Sequence, residues 1–206
     1  GGSNSLTLTT NNVEDADITA SGAISGVTTL TLSDVGGTAT LSGDVDVTTL
    51  TINTIDNLVF SGDGSSVTNA LSFTNVGDLT LGTSGGTQTY NGGLNTTGAD
   101  STVTLNGTIA TSDDAIVFGA VTLGSNTTVD TNSTTTNRAD ITLAAVTGGS
   151  NTLTLTTENN VTGSDITASG AIAGVTTLTL ASVGGTATLS ADVDVTTLTV
   201  DNTVAN

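Results

Sequence analysis

The chain has 206 residues, enough for one ordinary domain, and carries 19 acidic residues against one basic residue, with no His, Cys, Pro, Met or Trp. Without His or Cys, the chain lacks an imidazole base, a thiolate nucleophile and the usual ligands of zinc and iron–sulfur sites. A net charge of −18 argues against nucleic-acid partners. The sequence has no run of about 18 apolar residues that would span a membrane.

The composition favours a narrow aliphatic core. Thr accounts for 49 residues, 35% of the chain is hydrophobic, and the only aromatic residues are Phe60, Phe73, Phe118 and Tyr90. A Gly-, Ser-, Thr- and Asn-rich acidic chain is also compatible with disorder. The aliphatic residues recur at regular positions, however, and this order favours a folded chain.

Short strands are predicted from the start of the chain. Apolar residues alternate with Thr, as in Leu6-Thr-Leu8, and this period of two is typical of half-buried strands. Breaks rich in Gly, Asn or Asp separate the strands, and no helical period is sustained. The predicted strand centres of the first quarter are Leu8, Ile18, Leu30, Leu41 and Leu50.

The middle of the chain, residues 55–145, is less regular but has the same style. Asp130–Asn137, a Thr- and Asn-rich run, is predicted to form an outward loop. We find no domain boundary, so residues 1–206 are interpreted as a single segment. The strands predicted here are Leu58–Phe60, Val76–Leu81, Val103–Leu105, Ile116–Phe118 and Val121–Leu123.

Two levels of repetition lie over these strands. Val27–Leu32 recurs as Val47–Ile52, 20 residues later, and residues 18–52 align with residues 166–200 at an offset of 148, with 30 of 35 positions identical. Gly1–Thr10 likewise matches Gly148–Thr157, with one residue inserted between the two matching blocks. Such periods are typical of solenoids. In the second copy the predicted strand centres are Leu155, Ile166, Leu178, Leu189 and Leu198.

The prediction is therefore an all-β fold, a parallel β-helix (β-solenoid) with about 20 residues per rung and about 10 rungs. Leu would stack on Leu and Thr on Thr, and at about 4.8 Å per rung the rod would be roughly 45–50 Å long. An antiparallel sandwich also accepts short, evenly spaced strands, but it favours larger core aromatics and tight hairpin loops.

Three phrases carry a resemblance to a known family: Gly85-Gly-Thr-Gln-Thr-Tyr-Asn-Gly92, Phe118-Gly-Ala-Val-Thr-Leu-Gly124, and Leu-Thr-Leu-Thr with steps such as Gly22-Ala-Ile24. In these the chain resembles the repeat shafts of large bacterial exoproteins of the filamentous-haemagglutinin type. The resemblance implies a right-handed β-helical shaft, export to the cell exterior, and roles in adhesion, biofilm or cell contact. The family's secretion domain and effector are missing here, and the segment is expected to be excerpted from a longer repeat array.

The acidic residues are the main charged chemistry. Asp44 and Asp46, with their copies Asp192 and Asp194, are predicted to point outward from a strand whose valines point inward. They are weak candidates for Ca²⁺, which binds carboxylate and carbonyl oxygens. The alternative is solvated charge that keeps the rod soluble and discourages lateral strand pairing. Asp15 with Asp17, and Asp113 with Asp114, are further close pairs.

Other residues have two interpretations each. Arg138 is expected to offset nearby Asp130 or Asp140, and nothing marks an acid pair for glycoside hydrolysis. Tyr90 is either a core residue or an exposed ring that contacts a glycan. Thr-x-Thr triplets suggest an ice-binding face or ordinary outward strand residues. The triplets are Thr7/Thr9, Thr29/Thr31, Thr38/Thr40, Thr49/Thr51, Thr177/Thr179, Thr186/Thr188 and Thr197/Thr199.

The sequence therefore predicts a non-catalytic structural segment of an extracellular bacterial fibre, stalk or adhesin, without a cofactor. The expected partners are other copies of the chain, end to end or side by side, and a cell-surface or glycan target reached through residues 131–137. Two alternatives are an ice-binding solenoid and a calcium-stabilised glycan-binding adhesin.

Overall fold

The computed structural model describes residues 3–132, 137–158 and 162–201, which form strands and turns with no helix. Every strand pairing among these residues is parallel, which excludes the antiparallel sandwich. The strands are β1 Ser5–Thr9, β2 Ile18–Ala20, β3 Ile24–Leu41, β4 Val45–Phe60, β5 Ser66–Val67, β6 Leu71–Thr74, β7 Val76–Leu81, β8 Thr87–Tyr90, β9 Leu94–Gly98, β10 Val103–Thr111, β11 Ile116–Phe118, β12 Val121–Asp130, β13 Ile141–Leu143, β14 Val146–Thr147, β15 Leu153–Thr156, β16 Ile166–Ala168, β17 Ile172–Ala181, β18 Ala187–Leu189 and β19 Val193–Asp201. Each strand centre predicted from the sequence lies in one of these strands.

The chain winds as a solenoid of about 9 turns with roughly 21 residues per turn. Each turn, or coil, contributes one strand to each of three stacks of parallel strands, which we call columns 1, 2 and 3. Column 1 is a continuous ladder of nine strands: 18–20, 39–41, 58–60, 79–81, 103–105, 121–123, 146–147, 172–173 and 193–194. Column 2 runs from 24–27 through 45–47, β5, β8, 107–110, 127–130 and β15 to 178–181 and 198–201. Column 3 contains β1, 29–33 and 49–53, and then β6, β9, β11, β13, β16 and β18.

The predicted stacking of like on like is confirmed where the 20-residue phrase recurs. Leu30 lies on Leu50 and Thr31 on Thr51, and the same register joins Leu178 to Leu198. Elsewhere the spacing between stacked residues varies from 18, between Val103 and Val121, to 26, between residues 127 and 153. The longer central turns are why the chain makes about nine coils rather than ten.

The 148-residue repeat does not correspond to a whole number of coils. Ile18 lies in column 1, whereas its copy Ile166 lies in column 3. Residue 146 is six coils after Ile18 in column 1, and Ile166 follows two columns later, so the repeat advances six and two-thirds coils. The second copy is therefore rotated by one column about the axis relative to the first.

The interior is a continuous aliphatic column, widened by aromatic residues near its middle. Phe60 and Tyr90 pack edge to face with ring centroids 6.3 Å apart. Tyr90 is 1% exposed, so the core interpretation of this ring is confirmed and glycan contact by it is wrong. Its hydroxyl donates to Gln88 Oε1 (2.8 Å), and Gln88 Nε2 donates to the carbonyls of Phe60 (2.9 Å) and Gly62 (3.2 Å). Burial raises the pKa of Tyr90, which keeps this hydroxyl protonated and able to donate.

Stacked corners of the coil require a left-handed backbone. Asp34, Thr54 and Asn75 occupy one such corner in three successive coils, with φ of 53°, 42° and 59°. Asn and Asp tolerate this conformation, but a β-branched residue is strained in it. Thr54 is therefore the residue of this corner whose backbone conformation is strained.

Replacing Thr54 with Asn is expected to stabilise the fold by about 1 kcal/mol, because Asn relieves left-handed strain at an exposed position. Denaturant unfolding of both proteins measures the change. Thr51→Asn, at an outward position of β4, is the matched control and is expected to destabilise slightly because Asn disfavours strands. Equal effects of the two substitutions would contradict the strain argument.

Replacing Tyr90 with Phe is expected to cost about 1–3 kcal/mol, because it leaves the buried Gln88 Oε1 without its donor. Gln88→Met leaves the buried Tyr90 hydroxyl without its acceptor and is expected to cost a similar amount, because the carbonyls of Phe60 and Gly62 keep their donors Gly82 N–H and Ser65 Oγ. The double variant is expected to lose less than the sum of the single losses, since both ends of one bond are removed. Additive losses in thermal or denaturant unfolding would show that the bond is unimportant.

Candidate functional site

Acidic side chains bind backbone N–H groups of the following coil. Asp17 Oδ1 accepts from the Thr38 N–H at 2.7 Å, and Asp165 Oδ1 accepts from the Thr186 N–H at the same distance. The same contact joins Asp63 to Thr87 (2.8 Å), Asp78 to Thr102 (3.1 Å) and, with an amide in place of the carboxylate, Asn126 to Thr152 (3.0 Å). A side-chain oxygen thus satisfies an N–H near a strand start.

These contacts were not predicted from the sequence, although they leave a signal in it. Asp17, Asp78, Asp140 and Asp165 each directly precede the first apolar residue of a column strand. Hydrogen bonds from Ser101 and from the Thr102 N–H hold the pKa of Asp78 below its usual value. Part of the acidity of the chain therefore has a structural use in joining coils.

The four calcium candidates do not converge on one site. Asp44 is half-buried and Asp46 is exposed on either side of buried Val45, as predicted, whereas Asp192 and Asp194 are exposed in the last coil. About seven coils, roughly 34 Å at 4.8 Å each, separate the two pairs. Within the described ranges, no three acidic residues are grouped closely enough to hold a metal ion. Calcium binding at either pair stays a prediction.

Arg138 joins two coils through carboxylates. Its guanidinium donates from Nε to Asp140 Oδ1 (3.1 Å) and from one terminal nitrogen to Asp140 Oδ2 (3.0 Å) and Asp165 Oδ2 (3.2 Å). The predicted pairing with Asp140 is thus confirmed, with Asp165 as a second partner. The Asp165 N–H also donates to Asp140 Oδ1 (2.8 Å). Burial acts to raise the pKa of Asp140, but these donors and the arginine charge outweigh it and leave the pKa lowered.

A second acidic contact raises the pKa of its carboxyl group, in contrast to the lowered pKa of Asp140. Asp130, at the end of β12, is half-buried, and Glu158 on the next coil lies close enough to interact with its carboxyl group. Burial raises the pKa of Asp130 to about 6, and the charge and hydrogen bonding of Glu158 add to this, while the Asn132 N–H partly opposes it. The predicted outward loop, Asp130–Asn137, begins at this last residue of β12, and residues 133–136 within it lie outside the described part of the chain.

Outward threonines are distributed over all three columns. In column 2 one file stacks Thr87, Thr108, Thr128, Thr154, Thr179 and Thr199. The neighbouring file is mixed: Thr89, Ala110, Asp130, Thr156, Ala181 and Asp201. A flat ice-binding face needs at least two adjoining files of Thr, and only one of these two files in column 2 consists of Thr. This arrangement matches ordinary outward strand residues.

Grooves lie between successive coils on the described surface. One is lined by Gly26, Asp46, Thr48, Ser66 and Thr68, and others likewise follow the corners of successive coils. These grooves are open to solvent.

Comparison of the chain with protein-family models, with curated proteins and with solved structures gives no match. A search of the described residues for a helix long and apolar enough to cross a membrane also finds none.

Asp130→Asn is expected to raise the melting temperature near pH 8 and to have little effect near pH 3. The folded-state pKa of about 6 lies above the ordinary value of 3.8, so the stability associated with the protonated carboxyl is present below about pH 3.8 and lost as the pH rises through 6. Asn retains the oxygen that accepts from the Asn132 N–H. Thermal unfolding over this pH range measures the effect.

Asp78→Asn is the matched control, because the pKa of Asp78 is lowered and its contribution is lost as the pH falls. This variant is expected to give no stabilisation at pH 8. If Asp130→Asn lowered the melting temperature equally at both pH values, the explanation by a raised pKa would be wrong.

Proposed function

We propose that this chain is a non-catalytic structural segment of an extracellular bacterial fibre, stalk or adhesin. Its task is to continue a stiff, acidic β-solenoid over a distance, so that the parent filament supports cell-surface adhesion, biofilm or cell contact. The observation that carries the proposal is the column 1 ladder, which runs through all nine coils without interruption.

The ladder supports a mechanical role because its backbone hydrogen bonds lie along the solenoid axis. Bending or extending such a column disturbs many bonds together, and each coil is stabilised mainly by the coils on either side. Buried aliphatic residues from Leu30 to Leu180 belong to one continuous cluster, so no flexible junction divides the described segment. The resemblance to filamentous-haemagglutinin-type shafts supports an extracellular location.

The surface supports the same role. Outward positions are mainly Thr, and the net charge of −18 keeps rods apart and soluble. Of the residues that the sequence marked as candidates, Asp17, Arg138 and Asp140 are used in coil-to-coil contacts. The Asp44/Asp46 pair and the Asp192/Asp194 pair lie in different coils. This dispersion favours a structural segment over a catalytic one.

Immunoelectron microscopy of the cells that make the chain tests the proposal. Antibodies against the purified 206-residue protein are expected to label elongated structures outside the cell, at intervals along their length, and antibodies absorbed with the protein serve as the control. Label confined to the cytoplasm, or to globular particles, would overturn the proposed function.

A further inference from the structure

The two ends of the described solenoid expose inward-facing residues that the internal repeat shows buried. In the last coil, Leu198 is 50% exposed and Val200 is 64% exposed, whereas their copies Leu50 and Ile52 are each 5% exposed. In the first coil, Leu6 and Leu8 are half-buried, while their copies Leu153 and Leu155 are buried. The repeat thus shows what each edge looks like when another coil covers it.

The coil that covers Leu153–Thr156 is visible in the structure. Residues 127–130, Thr-Thr-Val-Asp, lie directly beneath Leu153–Thr156, Leu-Thr-Leu-Thr, in a parallel register that pairs Thr128 with Thr154 and Val129 with Leu155. This internal junction therefore has a known sequence on both sides.

The two exposed edges of the described solenoid carry nearly the same pair of sequences. Residues 6–9 are Leu-Thr-Leu-Thr, identical to 153–156, and residues 198–201 are Leu-Thr-Val-Asp, which differ from 127–130 at one position. Seven of the eight residues of the internal junction are thus present at the two ends. The exception replaces inward Thr127 with Leu198, which would meet Leu6 in the aliphatic core.

We propose that a second copy of the chain stacks head to tail on the first, with residues 6–9 of the incoming copy paired to residues 198–201 in the register of the internal junction. Leu6 then lies on Leu198, Thr7 on Thr199 and Leu8 on Val200. This inference rests on the proposed function and deepens it, because it names the contact by which segments continue a filament.

The other strands of the two edges fit the same arrangement. After β1 of the incoming copy, its β2 lies above β18 of the first copy. At the internal junction the equivalent strand, β16, lies above β13 in the same way. The incoming residues 24–27 then arrive above 193–195, which places Ile24 and Val27 against Val193 and Val195. Every column of the last described coil receives a strand, so no column edge is left open at the junction.

The junction has a defined rotation. Residues 6–9 belong to column 3 of their own copy, whereas residues 198–201 belong to column 2. Column 3 of the incoming copy therefore continues column 2 of the first. This one-column rotation is the same as that between the two repeats within the chain, so the assembly continues the internal geometry.

Charge opposes this contact. Both edges are acidic, with Asp15 and Asp17 near one and Asp194 and Asp201 near the other. Stacking between edges of like charge strengthens as salt screens the repulsion, whereas an interface held by ion pairs weakens. The dissociation constant for association is therefore expected to decrease when the NaCl concentration is raised from 0.02 M to 0.5 M.

Disulfide trapping tests the register, since the chain has no native Cys. A mixture of Thr7→Cys and Thr199→Cys proteins is expected to form a mixed dimer under mild oxidation, because neighbouring strand positions lie within disulfide reach. The double variant is expected to form a ladder of oligomers. Thr31→Cys, which lies on Thr7 within one chain, replaces Thr7→Cys as the matched control and is expected not to cross-link to Thr199→Cys.

Val200→Asp places a charge in the junction without disturbing a buried residue of the single chain, and is expected to weaken association by at least about tenfold. Thr199→Asp adds the same charge on the outward side of the strand and is expected to have a much smaller effect. Analytical ultracentrifugation and circular dichroism measure association and folding of both variants.

Efficient dimers of Thr199→Cys alone would mean that like edges meet, and would overturn the head-to-tail register. A folded protein that stays monomeric at all concentrations and salt levels would overturn the inference as a whole. Either result leaves the proposed function to its own test, because external labelling does not depend on how the isolated chain associates.

Discussion

The structure depends on one interaction, the parallel stacking of each coil on the coil before it. Backbone hydrogen bonds between coils satisfy the strands, and the same register places aliphatic residues on aliphatic residues in the interior. Leu30 on Leu50 and Leu178 on Leu198 show the two requirements met by one alignment. Because each strand position alternates between inside and outside, a shift of one residue would turn every Leu outward. The Thr–Leu alternation is therefore what holds the register, and stability is approximately a sum over neighbouring coils.

This interaction explains which features were predictable. The strands, their parallel stacking and the narrow core follow from the alternation of apolar residues with Thr and from the phrase that recurs after 20 residues. Because its copies stack position on position, the phrase also predicts the register. The coil lengths in the middle of the chain do not follow, since Val103 stacks on Val121 after 18 residues but residue 127 on residue 153 after 26. These lengths depend on the stretches between column strands, whose sequence gives little indication of how far the chain travels before it returns to the column.

The candidate sites were less predictable than the fold, for a physical reason. Outward Asp residues at strand starts have the same sequence appearance whether they bind a cation, remain solvated or accept an N–H from the next coil. Asp17 and Asp165 do the last, and the choice depends on a backbone group about 21 residues away. The ion pair of Arg138 was easier to predict, because the one cationic side chain in an acidic sequence pairs with carboxylates that are close to it in the chain. The Tyr90–Gln88 bond was missed because it requires both side chains, two residues apart, to point into the core.

The six-and-two-thirds-coil advance of the long repeat has a consequence for the surface. A feature that recurs once per repeat, such as Asp44 with Asp46 and then Asp192 with Asp194, faces a different side of the solenoid in each copy. A long binding face requires recurrence on the same side, which an integral number of coils would give. If further copies followed with the same advance, a feature would return to its first direction only in the fourth copy, after three one-column rotations. The two copies of this acidic pair therefore face different sides of the solenoid, as solvated charge can, and do not build one continuous binding face.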